Sequence, residues 1–241
     1  MPYQPPSDPD HAGFSLLELM AVTAIMGILA MIATPFLASV NLNSNERVAA
    51  ATLIQIARAQ KAVAGAGIDS DLNGYPEYGF LQELSGVRNI RIDTDSDGLA
   101  DANGPRKLGR ELLPTSYGDV DFNGVMQRSG YLFRIYLPGD SHEWLREPAP
   151  LQGYPAVSGR HAEQYWACYA WPAEFGKSGN RAFFINQDGF VLACDNHLTR
   201  YEGSINAPNV NAIIAVGQPD QMDATIARDL MGNDGNKWRI Q

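Results

Sequence analysis

The chain has 241 residues, enough for one sizeable domain with a long additional element, or for two small domains. Its net charge of −9, with no local cluster of Lys and Arg, excludes a broad phosphate-binding surface, so we predict no nucleic-acid partner. The hydrophobic fraction of 45% is ordinary, and most of the chain is therefore expected to be water-soluble.

The first element is an apolar segment of membrane length. From Phe14 to Ala33 the only charged residue is Glu18, and the apolar character continues to Val40. A helix of about 20 apolar residues crosses a hydrocarbon core of about 30 Å. A secretory signal that is removed has a basic start and a small-residue cleavage site after the apolar run, whereas here the helical pattern continues. We therefore predict a retained helix over residues 14–64, with residues 14–40 in a membrane or a filament core.

The second half of this helix is amphipathic. Between Val48 and Val63, apolar residues recur at spacings of three and four, and the polar side carries Glu46, Arg47, Arg58 and Lys61. Gly65 and Gly67 end the pattern. This half is expected to pack on a globular domain formed by residues 65–241.

The run from Gly13 to Met20, GFSLLELM, resembles the N-terminus of type IV pilins and of the related pseudopilins of type II secretion. The resemblance implies that residues 1–13 are a leader peptide. It also implies that prepilin peptidase cuts between Gly13 and Phe14, and that the new N-terminal Phe14 is methylated.

The same resemblance gives roles to residues inside the apolar segment. It implies that Glu18 sets the register between assembled subunits, and that Gly27 and Pro35 loosen the helix by bending or unwinding it. A carboxylate in an apolar segment needs a partner. The amine that cleavage frees on Phe14, of the same or a neighbouring chain, can be that partner.

Three segments between residues 65 and 130 share the spacing D-x-D-x-[DN]-G. This is the first half of an EF-hand-type calcium loop, where alternate oxygens face the ion and Gly permits the turn. None has a Glu at the twelfth position, and the general preference of turns for Asp, Asn and Gly is the alternative explanation. We predict a calcium ion that orders a region too poor in apolar residues to fold by packing alone. The candidate ligands in the middle loop are Asp93, Asp95, Asp97, Leu99 and Asp101; weaker candidates are Asp69, Asp71 and Asn73 in the first loop and Asp119, Asp121 and Asn123 in the third.

Residues 131–195 contain the signal for a sheet. Four short segments are rich in aromatic and β-branched residues, and Asn186-Gln187-Asp188-Gly189 separates the last two as a hairpin turn. The predicted fold class is α+β: a long N-terminal helix packed on an antiparallel sheet, as in the type IV pilin fold, with the Asp-rich loops as a calcium-ordered insertion. Residues 196–241 form a C-terminal region. The predicted strands lie within residues 129–139, 164–172, 181–186 and 190–195.

The two cysteines, Cys168 and Cys194, lie outside any C-x-x-C pattern, so neither a zinc site nor a redox motif is indicated. If the chain is exported, a disulfide between them is the favoured interpretation, and two buried free thiols are the alternative.

No catalytic motif is found in the sequence, and we predict that the chain is not an enzyme. The expected function is that of a structural subunit of an extracellular type IV pilus-like filament. Its precursor would be anchored in the bacterial inner membrane, and its partners would be prepilin peptidase, the pilus assembly machinery and further copies of itself. The alternatives are a pseudopilin of a type II secretion system and, from another class, a membrane-anchored monomeric binding module or enzyme.

Overall fold

The computed structural model describes residues 14–241, and for residues 33–38 and residue 64 it describes the backbone alone. The predicted leader, residues 1–13, lies outside the described residues, as does Gly13 on one side of the predicted cleavage bond. The chain divides into two compact units, one that ends at Val40 and one that spans Asn41–Gln241.

The long helix α1 spans Leu16–Ala62 and is followed by a 3₁₀ turn at Val63–Gly65. This confirms the predicted helix to within two residues at each end. The helix is continuous through Gly27 and Pro35, so the local unwinding predicted there is absent from this structure. Among the described residues, no helix is long and apolar enough to cross a membrane.

The second unit is built on one antiparallel sheet of seven strands. All four predicted strands are present, and the Gly189 N–H donates to the Asn186 carbonyl oxygen at 3.0 Å across the predicted hairpin turn. The strands, in their order across the sheet, are β11 (Arg239–Ile240), β10 (Leu192–Cys194), β9 (Ala182–Asn186), β8 (Ala167–Pro172), β5 (Tyr131–Pro138) and β4 (Met126–Arg128), and β6 (Trp144–Arg146) also pairs with β5.

Smaller elements fill the rest of the second unit. Two short ladders pair β1 with β3 and β2 with β7. Their bounds are β1 (Arg91–Ile92), β2 (Leu99–Ala100), β3 (Ala102–Asn103) and β7 (Val157–Ser158), and the short helices are α2 (Leu81–Leu84), α3 (Gly159–Ala162) and a 3₁₀ turn at Thr115–Tyr117.

Both faces of the large sheet are covered, which agrees with the burial of every residue in its central strands β5, β8 and β9. On the first face, which we call the helix face, Phe133 and Ile135 of β5 join a core cluster with Leu53 and Ile56 of α1. On the opposite face, which we call the C-terminal face, a second cluster forms beneath the C-terminal region. Its members include Tyr169, Trp171, Phe184, Ile213 and Trp238.

The predicted disulfide is wrong, because both cysteines are free and buried. Cys168 lies in the core cluster of the helix face, and Cys194 lies in the cluster of the C-terminal face. Strand β9 separates their two strands, with Cys168 opposite Ile185 and Cys194 opposite Ala182. Two strand spacings amount to about 10 Å, and side chains on opposite faces point apart, so no disulfide geometry is accessible. The alternative of two buried thiols is the one that holds.

The Asp-rich region between α1 and the sheet is not poor in core residues, which corrects the expectation that it lacks the apolar residues for packing. Phe80, Leu84, Ile90 and Tyr117 are buried in the cluster that also holds α1. The region also contains a fully buried ion-pair network. Arg91 Nη1 bonds Glu83 Oε2 at 2.7 Å, and Arg91 Nη2 bonds Glu77 Oε2 at 2.6 Å.

Candidate functional site

The start of α1 is closed by a capping box. The Ser15 N–H donates to Glu18 Oε2 at 2.9 Å, and the Glu18 N–H donates to Ser15 Oγ at 3.1 Å. Sequence analysis gave Glu18 a role but missed Ser15, although the S-x-x-E spacing is visible in the sequence. The box turns the Glu18 carboxylate toward the start of the helix, beside Phe14. Within residues 14–241, Glu18 Oε1 has no hydrogen-bond partner, so it is free to accept from an amine.

Residues 14–32 of the first unit present an apolar surface. Thr23 satisfies its hydroxyl internally, since Thr23 Oγ1 donates to the Met20 carbonyl oxygen at 3.0 Å. Gly27 has no atom within 4 Å of an added Cβ, so its surroundings are open. Exposed apolar surface of this extent marks a site of interaction with protein or lipid. The large exposed side chains are Phe14, Leu16, Leu17, Leu19, Met20, Val22, Ile25, Met26, Ile28, Leu29, Met31 and Ile32.

A family comparison covers this same segment. Residues 9–34 match the prokaryotic N-terminal methylation motif. The chain carries the signature of type IV pilins and pseudopilins. The motif implies processing by prepilin peptidase and handling by the pilus assembly machinery, as the sequence predicted. Comparison with curated proteins and with solved structures finds no significant match.

The middle Asp-rich loop brings three of its five predicted ligands together. One carboxylate oxygen from each of Asp93, Asp95 and Asp97 lies within 4.8 Å of the others. Asp101 does not join this group. Leu99, whose carbonyl was the remaining candidate, lies at the start of β2 and pairs with Ser158 of β7.

Local hydrogen bonds shape the charges of the middle loop. Burial acts to raise the pKa of Asp93, but the N–H groups of Gly98, Ser96 and Asp95 bond its carboxylate and hold the pKa below its usual value. The neighbouring charge of Asp97 raises the pKa of Asp95. Within residues 14–241 no basic side chain forms an ion pair with Asp95 or Asp97, so a cation would be favoured between the two carboxylates.

The first Asp-rich loop forms a second acidic group with a member that sequence analysis missed. Carboxylate oxygens of Asp69, Asp71 and Glu77 lie within 4.8 Å of one another, and the same Glu77 is bonded to Arg91. Asn73 closes the loop, since its N–H donates to Asp69 Oδ1 and to Asp71 Oδ1, both at 3.1 Å. Burial raises the pKa of Asp71, and the charges of nearby carboxylates act in the same direction.

The two acidic groups lie side by side. The Asp93 N–H donates to the Ser70 carbonyl oxygen at 3.0 Å, and this bond ties the middle loop to the first. Glu77 is the ninth residue of its loop counted from Asp69, the same offset as Asp101 in the middle loop. The ninth position is an EF-hand ligand position, so the spacing could have identified Glu77. Its second carboxylate oxygen is held by the buried bond to Arg91 at the start of β1.

The third Asp-rich loop is a structural turn. Asp121 Oδ1 accepts hydrogen bonds from the N–H groups of Asn123 and Val125 at 2.8 and 3.0 Å. Asp119 is exposed, and within residues 14–241 no third carboxylate, His or Cys joins Asp119 and Asp121. The structure therefore brings no cation site together here, and Asn123 lines a separate cavity.

Proposed function

We propose that the chain is a structural subunit of an extracellular type IV pilus-like filament, and that it is not an enzyme. The observation that carries the proposal is the combination of the methylation motif with a capped helix start and the exposed apolar side chains of residues 14–32. The apolar surface needs cover, and the same surface on further copies supplies it. In a filament, different parts of this surface meet on successive copies, and such a heterologous contact does not close on itself and generates a helical polymer.

In this proposal the precursor is held at the inner membrane through residues 14–40 before it enters the filament. Cleavage removes residues 1–13 and frees the amine of Phe14. Glu18 Oε1 then accepts a hydrogen bond from the Phe14 amine of a neighbouring subunit, and this contact sets the axial register. The capping box supports this role because it holds the carboxylate at the end of α1 where the amine is formed.

A pseudopilin of a type II secretion system is the alternative use of the same N-terminus, since the motif is common to both classes. The two differ in where the assembled fibre lies. Electron microscopy of fibres sheared from the cell surface, with mass spectrometry of their subunit, separates them. We expect a surface fibre whose subunit has the mass of residues 14–241 plus one methyl group. A chain absent from surface fibres, or one that retains residues 1–13, contradicts the proposal.

We further propose that the acidic groups of the first and middle loops bind calcium. The support is the convergence of Asp93, Asp95 and Asp97, and the hard oxygen ligands that this ion prefers. Calcium would offset the repulsion between the carboxylates of the first and middle Asp-rich loops. It would therefore stabilise the part of the second unit that these loops form.

A thermal melt of the full chain in detergent, with calcium or with a chelator, tests this second proposal. Calcium at about a hundred times its dissociation constant should raise the melting temperature by about 5–10 °C. Asp95→Asn should remove most of that shift, whereas Asp119→Asn, in the loop without a cluster, should retain it. An equal shift in both variants, or none in the unaltered chain, contradicts calcium binding at the middle loop.

A further inference from the structure

The C-terminal face of the sheet carries a polar cavity of about 560 Å³. Strands β5 and β6 supply Arg134, Tyr136, Trp144 and Arg146 to its lining, and the C-terminal region contributes Ser204, Ile205 and residues 207–211. Pockets that bind small molecules commonly have volumes of about 300–1,000 Å³. The cavity is therefore large enough for a small organic ligand.

The guanidinium of Arg134 is buried in this cavity without a matching negative charge. Its residue is only 8% exposed, and its one side-chain hydrogen bond joins Nη1 to Tyr136 Oη at 3.4 Å. Arg134 Nε has no partner in the part of the chain that the structure describes, and no carboxylate there forms an ion pair with Arg134. The guanidinium lies over the Trp171 ring, with Cζ 5.5 Å from the ring centroid. A ring face offsets only part of the cost of burying a charge, so the arrangement still favours an anion beside Arg134.

A second donor in the same cavity is also unsatisfied. Trp144 Nε1 is buried and has no hydrogen-bond partner among the described residues. Trp144 and Arg146 lie two positions apart on β6 and so share a face, and Arg146 pairs with Tyr136 across the ladder. Two donors left over in one cavity are unusual, because most buried polar groups are paired. Trp144 Nε1 and Arg134 Nε have almost no surface open to the cavity, so the positive charge of Arg134 and Arg146 is what favours an anion in it.

The remaining polar groups indicate what else the ligand carries. The amides of Asn123, Asn209 and Asn211 line the cavity. Each amide can both donate and accept hydrogen bonds, as hydroxyl groups require. The one acidic residue of the lining, Asp220, is exposed and accepts from Asn211 Nδ2 at 3.3 Å, so two basic groups face one acid in a chain whose net charge is −9.

We propose that this cavity binds a small hydroxylated carboxylate of the sugar-acid class. The Nη atoms of Arg134 donate to the carboxylate in the forked geometry that suits two oxygens. Arg146 adds attraction at the rim, and the asparagine amides pair with the hydroxyl groups. Since the lining residues all lie in the second unit, the proposal stands or falls independently of filament assembly.

Titration of the full chain in detergent with sodium glucuronate tests the proposal, read by calorimetry and by thermal melts at constant ionic strength. We expect saturable binding and a rise in melting temperature, and neither effect with glucose. Arg134→Met should weaken binding by about tenfold to a hundredfold, the loss of a charge-assisted bond. Without ligand it should melt no lower than the unaltered chain, because it removes an unpaired buried charge. The matched control, Arg160→Met, removes an exposed arginine outside the cavity and should bind as before.

Arg146→Gln provides a second variant, since Arg146 is exposed and its replacement does not disturb the core. It should weaken glucuronate binding severalfold with an unchanged melting temperature in the absence of ligand. The proposal is overturned if glucuronate does not bind, if glucose binds equally well, or if Arg134→Met and Arg146→Gln both bind as the unaltered chain does. Binding of inorganic phosphate with the affinity of glucuronate would show a site for any oxyanion and would overturn the assignment to sugar acids.

Discussion

Replacement of Arg91 by Met should destabilise the second unit more than any exposed substitution. Arg91 Nη1 bonds Glu83 at 2.7 Å, and Arg91 Nη2 bonds Glu77 at 2.6 Å and the Tyr78 carbonyl oxygen at 2.8 Å. All three charged side chains are fully buried. The variant leaves two carboxylates in the interior without their cation, and breaking a buried pair in this way costs about 3–5 kcal/mol.

The loss can be read from urea unfolding of the full chain in detergent at pH 7. With a slope of about 2 kcal/mol per molar urea, a loss of about 4 kcal/mol lowers the midpoint by about 2 M. Arg106→Met is the matched control, because Arg106 is exposed and its side chain makes one hydrogen bond within residues 14–241, from Nη2 to the Gly67 carbonyl oxygen at 3.2 Å. It should change the free energy of unfolding by no more than about 0.5 kcal/mol.

A double variant tests whether uncompensated charge is the cause. Arg91→Met combined with Glu77→Gln removes one of the two carboxylate charges that the loss of Arg91 leaves unpaired. The amide oxygen of the new Gln can keep the hydrogen bonds that Glu77 Oε1 accepts from Ser70 N and Ser70 Oγ. The double variant should therefore be more stable than Arg91→Met alone. A double variant of lower stability, or a single variant that unfolds within about 0.5 kcal/mol of the unaltered chain, refutes this reasoning.

Three further substitutions test other parts of the chain. Burial raises the pKa of Glu147 to about 8, so the folded chain loses stability as pH rises from the ordinary pKa of Glu toward 8. Glu147→Gln does not ionise, so its urea midpoint minus that of the unaltered chain should increase from pH 5 to pH 9. A constant difference contradicts this. Gly124→Ala places a Cβ 1.9 Å from the Glu147 carbonyl oxygen at a φ of +68°. The control Gly98→Ala has a φ of +89° but open space, and should lower the free energy of unfolding by about 1 kcal/mol. Gly124→Ala should lower it several times more, and equal urea midpoints for the two variants would exclude the clash. Glu18→Gln keeps the capping box without the charge and should abolish surface fibres in micrographs, whereas Ser15→Ala, which keeps the charge, should retain them.

The parts of the fold that sequence predicted well are those that near neighbours control. The spacing of apolar residues gave the end of α1 within two residues, and runs of aromatic and β-branched residues gave all four predicted strands. The hairpin at Asn186 to Gly189 followed from turn chemistry. The same local chemistry explains why the glycines of all three Asp-rich loops adopt positive φ, at +89°, +89° and +68°.

Long-range partners were beyond such reasoning. Glu46 reads as an exposed residue on the polar side of α1, yet it is buried because its Oε2 pairs at 2.8 Å with Arg181 Nε, 135 positions along the chain. The sequence predicted a disulfide between Cys168 and Cys194. The register of β8, β9 and β10 places the two side chains on opposite faces of the sheet, and this register is not visible in the sequence.

The sequence by itself determined the helix, the strands, the turns and the methylation motif, because each depends on residues within about a dozen positions of one another. The tertiary structure decided what these elements bring together. It brought the Glu77 carboxylate to those of Asp69 and Asp71, left Asp101 outside the middle group, and placed Arg134 and Arg146 in the lining of one cavity. The physical reason is that burial and charge pairing are set by strand register and by which surfaces meet, and neither is a property of a local stretch of sequence.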